Sequence, residues 1–126
     1  VAFMRTVGAD DRIATARSSD GGRSFGRWQL HETRGHPCEP LPLADGRVLL
    51  VYGFRHEPYG IRGRLLDPNL ESIDTAEELV ISDDGVSTDL GYPSAVQLDD
   101  GKVLVAFYDR GPDDVRFVSG GLVTID

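Results

Sequence analysis

The sequence predicts an all-β protein built from repeated units of antiparallel strands, and three observations predict it. Displacing the 126-residue chain by 55 positions lays residues 43–55 (LADGRVLLVYGFR) over residues 98–110 (LDDGKVLVAFYDR), with six of 13 pairs identical. Arg47/Lys102, Leu50/Val105 and Tyr52/Phe107 are conservative replacements. Repetition at such a period marks an architecture assembled from one supersecondary unit. Each copy also holds an Asp-Gly pair between apolar runs, the strongest short-range hairpin signal. Finally, 15 glycines and seven prolines punctuate apolar runs that are all short, as many turns between short strands require.

The elements follow in order. Residues 1–5 fit the end of a unit's second strand, which makes Arg5 the counterpart of Arg55 and Arg110. Strand-like segments 12–17 and 27–33 flank the octapeptide SSDGGRSF, residues 18–25, which is wired as a turn. The Asp20 carboxylate can accept backbone N–H groups two residues on. Gly21 and Gly22 tolerate the positive φ of a tight reversal. Ser18 and Ser24 place hydroxyls at its feet, with Phe25 and Trp28 expected to pack beneath.

The next unit runs through strands 39–43, 48–54, 60–66 and 78–82, and the last through 94–98, 103–108 and 115–119. Between the third and fourth strands of the middle unit, Asp67-Pro68-Asn69-Leu70-Glu71-Ser72 keeps the turn's position without its motif. Residues 72–79 have some helical character, but so short a segment beside a strand is expected to be a loop. Four antiparallel strands per roughly 50 residues is the arithmetic of a β-propeller blade. The chain then divides into a blade remnant (1–35), a whole blade (36–90) and most of a third (91–126), one partial domain. Propellers typically close with four to eight blades, so the remaining blades are expected to be missing from this chain.

The formal charge of −8 argues against nucleic acid and anionic membranes as partners. No apolar stretch approaches the ~18 residues of a membrane-spanning helix. A single cysteine, Cys38, allows no internal disulfide. No metal site or cofactor is expected. His36 and Cys38 give only two candidate ligands, His31 and His56 have no evident partners, and the Asp-Asp-Gly runs at 83–85 and 99–101 lack calcium-loop spacing. Neither a phosphate-cradling loop nor a Ser-His-Asp arrangement is legible.

The pattern Ser18-x-Asp20-x-Gly22-x-Ser24-Phe25 resembles the Asp box, or BNR repeat, of the sialidase (neuraminidase) superfamily. The resemblance implies a six-bladed propeller whose first strands line a central channel. Sialidases carry a glutamate just ahead of a Leu-x-Asp-Gly turn and an arginine ending the next strand. Here Glu39 precedes Leu43-Ala44-Asp45-Gly46, and Arg55 follows the turn. Tyr92-Pro93-Ser94 is similar to the segment holding the family's catalytic tyrosine, with an inserted proline.

What the resemblance implies is a retaining exo-glycosidase. A substrate with a carboxylate on its anomeric carbon repels a carboxylate nucleophile, whereas a tyrosine, with a pKa near ~10, needs only a base. Tyr92 would be that nucleophile, Glu39 its base, and Arg55 the clamp on the substrate carboxylate. Arg62 is a candidate second clamp. His36 and Asp109 are expected to be structural. The family's acid/base aspartate and first arginine belong to early blades absent here; Asp10 and Asp11 lie in a polar loop and match no such motif. The chain alone is therefore expected to be inactive. The alternative is a non-catalytic carbohydrate-binding or scaffold propeller that uses Asp boxes only to fold.

Overall fold

Strand β5 (Val48–Phe54) is an almost unbroken apolar run, VLLVYGF, and its period of two explains why. Leu49 and Val51 face one way and Leu50 and Tyr52 the other, and all four are fully buried. A strand with both faces covered loses the polar alternation of a half-exposed one. β5 accordingly lies in the middle of three sheets in the computed structural model, which describes residues 1–126.

The chain forms ten antiparallel strands and no helix. β1 (Ala2–Met4), β2 (Arg12–Ala16) and β3 (Gln29–Arg34) form the first sheet. β4 (Cys38–Pro42), β5, β6 (Tyr59–Leu66) and β7 (Glu78–Gly85) form the second as a four-stranded meander. β8 (Gly91–Gln97), β9 (Val103–Arg110) and β10 (Arg116–Val123) form the third. Every strand expected from the sequence has its counterpart. The segment 72–79 is a turn and loop as far as Glu77, and β7 begins at Glu78.

Two apolar clusters join the sheets. Leu49, Val51 and Ile61 of the second sheet pack with Leu90, Val103, Val105 and Phe107 on the side of the third. Leu50, Tyr52 and Leu66 pack with Ile13 and Ile73 on the opposite face. The outer face of the third sheet differs. Leu104 pairs across strands with Val96 and Leu122, and these three are 40%, 52% and 63% exposed. An apolar row thus faces outward, where β5 has a neighbour on each side.

The turn at 18–25 joins β2 to β3. Asp20 Oδ1 accepts from the amides of Arg23 (3.0 Å) and Ser24 (2.9 Å), and Oδ2 accepts from the Ser24 hydroxyl at 2.6 Å. The reach is therefore three and four residues rather than two; Ser18 Oγ instead serves the amides of Asp20 and Gly22. Gly21 and Gly22 take φ of 73° and 86°, as expected. Phe25 and Trp28 do not pack beneath: they are 49% and 61% exposed. The 67–72 turn keeps the wiring despite losing the motif. Asp67 accepts from the amides of Asn69, Glu71 and Ser72, and Ser72 Oγ accepts from the Asp67 amide. These donors, the serines foremost, hold both carboxyls down to about 2.

Candidate functional site

The repeat places an arginine at each equivalent strand end. Arg5 follows β1, Arg55 follows β5 and Arg110 ends β9. Their surroundings differ. Arg110 is paired with Asp114. Arg55 Nε and Nη2 both donate to the Leu90 carbonyl, at 3.1 and 3.0 Å, which orients the guanidinium without neutralising it. Neither Arg55 nor exposed Arg5 has a carboxylate partner.

Backbone packing around Arg55 is close. His36 N donates to Gly53 O at 3.0 Å, and Gly53 N to Pro37 O at 3.2 Å. A Cβ on Gly53 would lie 3.0 Å from His36 O and 3.3 Å from Gly91 Cα. Gly91 itself has φ 125°, a conformation open to glycine. The turn before β4, the end of β5 and the start of β8 therefore converge beside one guanidinium.

His36 stands at this junction. Its Nε2 is 2.8 Å from Asp11 Oδ1, and its Nδ1 is buried without a partner. Burial pushes its pKa down; Asp11 opposes that, and Arg55 and Arg5 add repulsion. The imidazole is therefore held neutral near pH 7. His56 Nε2 lies 3.2 Å from the other Asp11 oxygen, within ion-pair distance but too poorly aligned for a hydrogen bond. Asp11, which matched no motif, thus tethers two histidines from a left-handed backbone position (φ 58°). His31, expected to lack a partner, also has one in Asp74.

Tyr92 and Glu39 do not bond to each other. Glu39 Oε1 accepts from the Ala95 amide at 3.1 Å and from Ser94 Oγ at 3.3 Å. Tyr92 has φ 48°, and the β8–β9 register slips between Gly91 and Ser94. That distortion leaves the Tyr92 ring 59% exposed against Tyr108, centroids 6.0 Å apart, with no hydrogen bond to its hydroxyl. Tyr108 donates to Asp89 Oδ1 at 2.9 Å, and Arg116 holds the second Asp89 oxygen at 2.5 Å. Burial and then Asp89 push the Tyr108 phenol up, while Arg55 pulls it down. Arg55, Tyr92 and Tyr108 thus share one electrostatic neighbourhood.

Arg62 is not available as a second clamp. Its side chain is 4% exposed. Nη1 donates to Ser82 O (2.5 Å), Nη2 to Pro58 O (2.9 Å), and the guanidinium lies 5.0 Å over the Phe54 ring. The cause is register: Arg62 pairs with fully buried Tyr52 and shares its inward face. Asp109 is buried and accepts from the Arg110 amide at 2.7 Å.

The chain matches no protein-family model and no curated protein. It is similar to a crystal structure of a protein of unknown function from Dyadobacter fermentans DSM 18053, with 46% identity and a TM-score of 0.93. The match covers 98% of this chain and 34% of the other, so the chain spans about a third of that protein's length.

Proposed function

We propose that this chain is part of a six-bladed sialidase-like propeller that acts as a retaining exo-glycosidase on an acidic sugar. Its three sheets are blades, and a further blade covers the apolar row Val96, Leu104 and Leu122. The greater length of the similar Dyadobacter protein is consistent with that. Arg55 grips the sugar carboxylate with Arg5 beside it, Tyr92 is the nucleophile and Glu39 its base.

The observation that carries the reading is Arg55, whose guanidinium is oriented by the Leu90 carbonyl at 3.1 and 3.0 Å and has no carboxylate partner. Uncompensated arginines beside an exposed tyrosine suit an anionic, ring-shaped ligand, because the guanidinium fork matches a carboxylate. Titration of the 126-residue chain with N-acetylneuraminic acid, followed by NMR, tests this. Shifts confined to the surroundings of Arg5, Arg55 and Tyr92 support it; an unperturbed spectrum at millimolar sugar refutes it.

One observation favours the non-catalytic, carbohydrate-binding reading. Glu39 spends its hydrogen bonds on Ser94 and Ala95 rather than on the Tyr92 hydroxyl. Binding without cleavage by a longer protein containing all blades would decide for that reading.

A further inference from the structure

We propose that Thr15, His31 and Asp74 form a second reactive site, separate from the Arg55 cluster, that transfers acyl groups from small carboxylic esters. Thr15 Oγ1 lies 2.8 Å from His31 Nε2, and His31 Nδ1 lies 3.2 Å from Asp74 Oδ2. The other Asp74 oxygen accepts from the Thr33 amide and from the Thr33 hydroxyl, both at 2.9 Å. A hydroxyl touching a base that a third, anchored group orients is the signature of an activated nucleophile.

The proton positions follow from the partners. An ionised carboxylate can only accept, so Nδ1 carries the hydrogen and Nε2 is left to take the proton of Thr15. Although burial pushes the Asp74 carboxyl up, the Thr33 donors and His31 outweigh it and hold its pKa below the ordinary carboxylate value. Thr15 and His31 are each 6% exposed, so both are largely shielded from bulk water.

The three residues also face a space that a ligand could enter. They line an open cavity of about 310 Å³ together with Arg17, Gln29 and Glu71. Arg17 is fixed at its wall by donating to Asn69 O and Leu70 O, at 2.7 and 3.2 Å. Arg17 and Gln29 are the donors on hand for a developing oxyanion. Such a volume admits a small ester and little more.

The step balances without a cofactor. Thr15 Oγ1 bonds to the ester carbonyl carbon as its proton passes to His31 Nε2. The carbon–oxygen bond to the alcohol breaks, and His31 returns the proton to the departing alkoxide. Water then repeats the sequence, releasing the acid and restoring the hydroxyl.

The test uses the 126-residue chain with p-nitrophenyl acetate and with a fluorophosphonate probe, the adduct located by peptide mass spectrometry. Hydrolysis above buffer and a probe adduct on Thr15 are expected. Thr15→Val, nearly isosteric, should lower the rate at least about 100-fold, the lower range of general-base contributions. Thr15→Ser keeps the hydroxyl without the hindering methyl, so it should react at least as fast as the parent and keep the fold. Absence of a Thr15 adduct, a Thr15→Val rate equal to the parent's, or a Thr15→Ser protein that folds but is inert would each overturn the proposal.

Discussion

Gly35 lies between β3 and β4, and replacing it with alanine tests how tightly the first two sheets interlock. A Cβ there would sit 2.1 Å from Tyr52 Cδ2, 2.5 Å from Cγ and 2.9 Å from Cε2. The ring has nowhere to go, since Tyr52 is fully buried and its hydroxyl donates to Glu78 Oε2 at 2.6 Å. Overpacking costs about 1–3 kcal/mol. If the ring moves, the bond to a charged acceptor is lost as well, about 1.5–3 kcal/mol more. The combined penalty for Gly35→Ala is therefore roughly 3–5 kcal/mol, a fall in Tm of about 10 °C or more for a domain of this size. Gly26→Ala is the control, because its Cβ would meet only Arg17 O, at 3.6 Å. Urea denaturation followed by circular dichroism gives both values. A Gly35→Ala midpoint equal to that of Gly26→Ala would refute the packing argument.

Other substitutions separate a structural arginine from the one proposed to bind ligand. Arg62→Met should destabilise by about 1–3 kcal/mol, since it removes the charged donors to the part-buried Ser82 and Pro58 carbonyls; Arg55→Ala, which strips donors from the Leu90 carbonyl alone, should cost less. Asp20 and Asp67, each held down to about 2, contribute stability that is present above the unfolded carboxylate pKa near 3.9 and lost as pH falls through about 2. The deficit of Asp20→Asn relative to the parent should therefore shrink between about pH 4 and pH 2, as read from urea midpoints. Burial pushes the Cys38 thiol up to about 11. Its reaction with iodoacetamide at pH 8 should be much slower than that of a free cysteine, and a rise to free-cysteine kinetics in urea would confirm burial as the cause.

The strand pattern was legible because its causes are local. Alternation, apolar runs and Asp-Gly turns act over a few residues, and all ten strands were predictable from them. Where β8 begins was not, because Gly91 and Tyr92 take positive φ and Pro93 suggests a strand boundary. Burial of Arg62 could have been inferred by aligning β5 with β6, which pairs it with Tyr52. Nothing local signals Thr15–His31 or His31–Asp74, contacts across 16 and 43 residues; Asp74 reaches β3 only because the second sheet packs on the first. Exposure of Phe25 and Trp28 is equally non-local, since an aromatic beside a turn is covered only if another element lies over it.

The central claim is that acid-free guanidiniums hold a sugar carboxylate. Isothermal titration of the chain with N-acetylneuraminic acid and with its methyl ester, which has the same shape without the charge, tests that claim most directly. Binding of the acid should be at least about tenfold tighter than that of the ester, a difference of about 1.4 kcal/mol, and Arg55→Ala should erase the difference. Equal affinity for acid and ester, or a preference that survives Arg55→Ala, would contradict it.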